Sequence, residues 1–232
     1  MSKINLMFHD VKLNPSKWNT RPSQFENLMN QIVMHANRDD IQITVDDAGK
    51  GNYQYMLPVF EKLGLKAIIL VPTQFIASEN STTSTYMNVR QIREFSDLGH
   101  TIGSHSHSHP KNISLLPMGE IKKEWEKSKK ILEEIIGKEV THCSIPGGFY
   151  SIQQRQILKD LVYKKVFNSV PTYEKYNVDG MEILGRFSIE QKITVRQFNQ
   201  ILSYDILNQK RLFFRQKTSQ IYHTFKHRIN NS

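Results

Sequence analysis

From Ile4 onward the chain alternates short apolar runs, rich in β-branched residues, with longer stretches in which apolar positions recur every three or four residues. The short runs INLMFH (4–9), IQITVD (41–46), KAIILV (66–71), HTIGS (100–104), VTHCSI (140–145), KVFNSV (165–170) and EILGRFSI (182–189) predict strands. Helices are predicted over 23–36, 52–63, 88–98, 118–136, 151–163 and 195–203. The clearest is 118–136, where Ile121, Trp125, Leu132 and Ile135 fall at helical spacing and Gly137 supplies a stop. Strand then helix, repeated about seven times, predicts an α/β fold with a parallel sheet inside a layer of helices. The expected form is a single-domain, distorted or incomplete (β/α)7 TIM-like barrel over 1–204, followed by a basic helical tail over 205–232.

In such a barrel the chemistry gathers at the C-terminal ends of the strands and on the loops that follow. Asp46 and Asp47 end the second predicted strand, His105 and His109 follow the fourth, and Pro146 and Gly147 follow the fifth. In extended chain, residues four apart are separated by about 13 Å, too far for two imidazoles to share an ion. On a helical turn their Cβ atoms come within roughly 5–6 Å, so His105 and His109 can chelate only if HSHSH is a turn, with His107 pointing away. Pro110 would close that turn. Two histidines, one carboxylate and an open position form a recurring catalytic zinc arrangement. Adjacent strand residues face opposite ways, so one aspartate of the pair would bind metal and the other would take a proton from water. The product of such a site is metal-assisted hydrolysis.

Cysteine usage narrows the metal chemistry. Cys143 is the only cysteine and falls in a strand, which excludes disulfide frameworks and cysteine-built zinc modules. Any metal must be held by histidine and carboxylate.

These residues resemble the polysaccharide deacetylases of carbohydrate esterase family 4, the NodB homology group. ITVDDAGKG is similar to that family's first motif, T-F-D-D-G, and GHTIGSHSHSHP to its second, H-T-x-x-H-P. The resemblance runs from about Asn5 to Ile189 and implies a distorted (β/α) barrel that removes acetyl from an N-acetylated sugar. It implies Asp46 as catalytic base and Asp47, His105 and His109 as metal ligands, with zinc the first expectation and nickel or cobalt also suited to the donor set. The third motif departs from the pattern R-P-P-Y-G: in SIPGG, Ser144 stands where the family has the arginine that braces the base, and Gly147 stands for the tyrosine whose N–H faces the oxyanion. Arg186 is the candidate replacement brace. Pro146, Tyr150 and His107 are candidates for lining the substrate pocket. The family's last motif, whose histidine protonates the leaving amine, has no counterpart after Ile189, which leaves His9 as the candidate acid. The same departures keep open a catalytically silent sugar-binding relative, and the metal site alone would also suit an amidohydrolase acting on a non-sugar amide.

The net charge of +9 belongs largely to the tail, where no acid follows Asp205. Leu212, Phe213 and Phe214, then Ile221, Tyr222 and Phe225, form a stripe that could dock on the barrel or lie on an anionic membrane. Nucleic acid is not expected, because no binding motif accompanies the charge. With no signal-like segment and no long apolar run, we expect a cytoplasmic protein, at the inner membrane face if the tail binds lipid.

Overall fold

Each predicted β-branched run forms a strand, and the strand interiors split their side chains between two environments. A computed structural model describes residues 4–207 and 209–212. In chain order the elements are β1 (Ile4–Phe8), α1 (Pro22–Met34), β2 (Ile41–Asp46), α2 (Leu57–Leu63), β3 (Ala67–Val71), α3 (Val89–Asp97), β4 (Thr101–Ser104), α4 (Met118–Ile136), β5 (His142–Ser144), α5 (Ile152–Asp160), β6 (Lys165–Phe167), β7 (Lys175–Val178), β8 (Met181–Leu184), β9 (Phe187–Ser188) and α6 (Val195–Leu202). A single π-helical turn, Asn52–Met56, leads into α2. The strands form one sheet in the order β7-β8-β6-β5-β4-β3-β2-β1-β9, parallel throughout except for β7.

That order closes the sheet on itself. β8 pairs with β6 at one end and β9 pairs with β1 at the other, yet only Gly185 and Arg186 separate β8 from β9. One extended segment therefore ties both ends of the sheet, and the seven parallel units plus one hairpin strand make a distorted (β/α)7 barrel. The two environments follow from the strand period of two. Ile4, Leu6 and Phe8, with Ile43, Val45 and Ile69, join the large outer core under the helices, where Phe8 meets Phe25 of α1 edge to face at 5.5 Å. Ile68 and Leu70 of β3 meet Phe167 of β6 and Leu184 of β8 in a separate small cluster. β3 is a sheet neighbour of neither β6 nor β8, so these side chains meet across the barrel interior.

Two departures from the sequence reading have local causes. The run 182–189 is a strand in two pieces, because its first half pairs with β6 and its second half with β1. The strand β7 was not predicted, since KYNV is polar and exposed; its signal was the Asp179-Gly180 pair, both left-handed (φ 53° and 84°), which turns β7 into β8 as a two-residue hairpin. The predicted tail begins within the described residues, where Leu212 packs partly buried against the outer core. The expected stripe from Phe213 onward lies outside the described residues. Among the described residues no helix is long and apolar enough to cross a membrane.

Two histidines, His100 buried and His142 partly buried, give the fold a pH dependence. Burial pushes His100 down to about 4, with Lys66 adding to the effect. Burial likewise pushes His142 down to about 4, helped by Lys165. An unfolded histidine titrates near 6.5, so below that pH the unfolded chain takes up protons that the folded one refuses. Their stabilising contribution is complete above about pH 6.5 and is lost as pH falls towards 4. Urea unfolding at pH 7 and pH 5 should show the loss, and His100→Gln should reduce it by on the order of 1 kcal/mol. An unchanged pH slope in that variant would contradict the assignment.

Candidate active site

β2 ends with Asp46 facing the interior, and the backbone then changes hand: Asp47 (φ 73°) and Ala48 (φ 50°) are left-handed. Such strain in residues other than glycine is held in place by surrounding structure. Here Gly51 lies against β1's exit, where a Cβ would stand 1.9 Å from Val11 O, and Asn52 ties the turn to the same segment. With its amide oriented to suit its neighbours, Asn52 Nδ2 donates to His9 O (2.9 Å) and Asp10 Oδ1 (3.2 Å), and its oxygen accepts from Gly49 N (3.2 Å). Burial raises the Asp10 carboxyl against the pull of Lys12. The left-handed step separates the two aspartates, sending Asp46 to a buried arginine and Asp47 to the histidine loop.

The histidine loop converges as the metal argument requires, but not by a helical turn. Ser106 (φ 61°) and His109 (φ 53°) are left-handed, and the loop folds around its own hydroxyls: Ser106 N donates to Ser104 Oγ (3.2 Å) and His109 N to Ser106 Oγ (3.1 Å). Glu124 of α4 accepts from His107 N (2.9 Å), Ser108 N (2.7 Å) and Ser108 Oγ (2.7 Å), which pins the loop from outside. The expected helical turn is thus corrected to an irregular one. His107 turns aside, its Nδ1 at 2.8 Å from Thr73 Oγ1, and burial lowers its pKa, with Lys127 adding.

Three donor atoms meet. His105 Nε2 and His109 Nε2 are 3.1 Å apart, and each is 3.6 Å from Asp47 Oδ1. Tetrahedral ligands at about 2.0–2.1 Å from one ion sit roughly 3.3 Å from each other, so these spacings fit a divalent cation without rearrangement. The tautomer fits as well. His105 Nδ1 donates to Ser144 O (2.9 Å), which leaves Nε2 as the lone-pair nitrogen. Burial lowers the His105 pKa despite Asp46 and Asp47 nearby, so the imidazole is neutral, as a ligand must be.

Beside this cluster Asp46, 2% exposed, has Oδ2 at 3.7 Å from His105 Nε2. Arg186, wholly buried, grips it bidentately: Nη1 to Oδ1 at 2.7 Å and Nη2 to Oδ2 at 2.8 Å. Ser144 Oγ accepts from Arg186 Nη2 (2.6 Å) and donates to Asp46 Oδ2 (3.2 Å), while Arg186 Nη1 also reaches Thr44 Oγ1 (3.1 Å) and Nε reaches Asn168 O (3.0 Å). Burial alone would raise the Asp46 carboxyl, but Arg186, with His105 and His9, holds it well below the usual carboxylate range.

The remaining candidates surround these groups. β1 and β2 run in register with Phe8 opposite Val45, so His9 lies level with Asp46 on the neighbouring strand; its Nδ1 is buried without a hydrogen-bond partner among the described residues. Gly147 is left-handed (φ 64°) with Lys111 O only 2.9 Å from where a Cβ would be, and it follows the buried Pro146. The Tyr150 hydroxyl is buried and unpartnered among the described residues, and burial raises its pKa. No hydrogen bond joins Gly147, Tyr150 or His107 to the three donors among the described residues. Sequence reasoning missed Glu124 and Thr44, and it read Ser144 only as a lost arginine; nothing in their spacing marks them until α4 and the barrel interior are in place.

The chain matches the family described as Polysaccharide deacetylase over residues 34–166, more than half of its length, and belongs to that family. Among its relatives, a Bacillus subtilis (strain 168) protein carrying the name polysaccharide deacetylase YxkH is 31% identical over 111 residues, covering 48% of this chain and 38% of the relative. A chitin deacetylase of Arthroderma benhamiae (strain ATCC MYA-4681 / CBS 112371) is 28% identical over 172 residues, 68% of this chain and 41% of that protein. The chain therefore spans about two fifths of the length of either relative. In fold it is similar to the Streptococcus pyogenes deacetylase PplD, solved in complex with acetate, with a TM-score of 0.74 at 17% identity over 87% of this chain and 98% of the other.

The Asp46–Arg186 pair carries a direct test. Arg186→Met would strand a buried carboxylate, and we expect the unfolding free energy to fall by roughly 3–5 kcal/mol in urea denaturation. Adding Asp46→Asn should recover most of that loss. A double variant no more stable than Arg186→Met alone would show that the two side chains are not coupled.

Proposed function

We propose that this protein is a metal-dependent hydrolase that removes N-acetyl groups from an amino sugar. The observation that carries the reading is the meeting of Asp47, His105 and His109 beside a buried, ionised Asp46. Membership of the deacetylase family and the relative named for chitin, a polymer of N-acetylated amino sugar, support the substrate class. Asp47 Oδ1, His105 Nε2 and His109 Nε2 would hold the cation, zinc in the first instance, with nickel and cobalt also suited to the set. A divalent cation supplies Lewis acidity, polarising an acyl oxygen and making water more acidic.

The chain's own groups do the rest. Asp46 takes a proton from the attacking water on a carboxylate oxygen that Arg186 keeps ionised and aimed. The Gly147 N–H is the candidate donor to the oxyanion as the acetamide carbon becomes tetrahedral. When the C–N bond breaks, the amine nitrogen needs a proton, and His9, level with Asp46 and outside the ligand set, is the candidate to supply it. Acetate and a free amino sugar leave. Surface polysaccharide or glycolipid synthesis is the setting in which such a product is used, and a basic tail resting on anionic lipid would bring the enzyme to a lipid-linked sugar at the cytoplasmic membrane face.

Acetate release from N-acetylated sugars, with and without chelator, tests the reading. We expect chelator-sensitive release that falls at least about 1,000-fold in Asp46→Asn while the metal stays bound at wild-type stoichiometry. His105→Ala should lose the metal. Full metal content in His105→Ala would refute the ligand set, and sugar binding without acetate release by the wild-type protein would identify a catalytically silent relative.

A further inference from the structure

Trp18 has no part in the chemistry above. The chain leaves β1 and makes a tied loop: Lys12 N donates to Thr20 O (2.9 Å), Thr20 N to Asp10 O (3.1 Å), and Val11 and Thr20 form a bridge. Within it Asn19 N and Nδ2 both bond Ser16, and Gln191 N, from the segment after β9, donates to Lys17 O (2.9 Å). The loop is fixed at both its base and its flank, and what it presents is an indole that is 45% exposed. The chain has two tryptophans, and the other, Trp125 of α4, is wholly buried. An indole held half in water by a braced loop offers part of its face to a ligand.

Its place in the barrel says what use. The Trp18 ring lies 5.8 Å from the His9 ring, tilted by 44°, and His9 is level with Asp46 across β1 and β2. The indole thus stands one side chain outward from the proposed base, on the loop at the C-terminal end of β1. Lys17 Nζ sits 4.2 Å above the ring centroid and 3.9 Å from Glu190. A cation over an exposed ring is weakly held and can be exchanged for another ligand. We propose that Trp18 is the platform on which the pyranose ring of the substrate stacks, its axial C–H groups against the indole face, with Lys17 moving aside to the sugar's hydroxyl or anionic substituents. The inference rests on the deacetylase reading for the identity of the sugar, and it assigns Trp18 to binding and specificity rather than to bond breaking.

Fluorescence separates the two claims. In the full-length Asp46→Asn protein, acrylamide quenching of emission reports Trp18 almost alone, because Trp125 is buried. Titration with N-acetylglucosamine and its β-1,4 trimer should protect the emission from acrylamide, the trimer at the lower concentration, while acetamide should not. In otherwise wild-type protein, Trp18→Ala should raise KM for the trimer about 10-fold with a far smaller change in kcat, and Trp18→Phe should restore most of that loss. Protection, with no acetate release by the wild-type protein, would uphold the platform and sink the catalytic reading. Acetate release with no protection, or with KM unchanged in Trp18→Ala, would overturn the platform and leave the catalytic reading standing. No protection and no release would overturn both.

Discussion

The site depends on how the barrel closes. A nine-stranded sheet whose ends are both claimed by the segment 181–188 has one interruption, Gly185-Arg186, and the arginine there is wholly buried. A buried guanidinium is tolerable only with its donors satisfied and its charge matched. Asp46 supplies the charge, and Thr44, Ser144 and Asn168 take remaining donors. Closure of the fold therefore places the guanidinium that keeps the buried Asp46 carboxylate ionised. The arginine does not come from the fifth strand, where the family's motif would put it; Ser144 at that position instead bridges the pair through Oγ and orients His105 through its carbonyl. One small residue thereby couples Asp46 to the histidine cluster.

A second constraint is the change of backbone hand at Asp47. Neighbouring residues on a regular strand would send their carboxylates to opposite faces of the sheet. The left-handed step at Asp47 and Ala48 keeps both at the barrel mouth but gives them different surroundings, one buried against Arg186 and the other half-exposed against two imidazoles. His109 is left-handed too, so two of the three clustered residues occupy backbone that costs on the order of 1–3 kcal/mol each. Contacts from outside hold that strain: Gly51 and Asn52 against β1's exit, and Glu124 against the histidine loop.

The sequence disclosed what depends on local pattern. The parallel strands and their helices followed from apolar period, and 118–136 was bounded as observed because Gly137 is a true left-handed stop. The meeting of Asp47, His105 and His109 was legible because they sit at strand ends that a barrel must bring together. What stayed hidden depends on distant pairing. Nothing in EILGRFSI says that its halves belong to opposite ends of the sheet. The geometry of HSHSH is set by hydroxyls and by Glu124 on a later helix, and helical spacing was the wrong guide to it. Trp18 lies in a polar loop with no periodicity, and only the fold brings it beside His9.

The central claim is that three side chains from two loops hold one divalent cation beside a buried carboxylate. Crystals of the full chain grown with zinc, measured on both sides of the zinc absorption edge, test it most directly. The account predicts one anomalous peak, bonded by Asp47, His105 Nε2 and His109 Nε2 at about 2.0–2.1 Å, with Asp46 still on Arg186. Absence of that peak from crystals grown in saturating zinc, or a peak held by other residues, would contradict it.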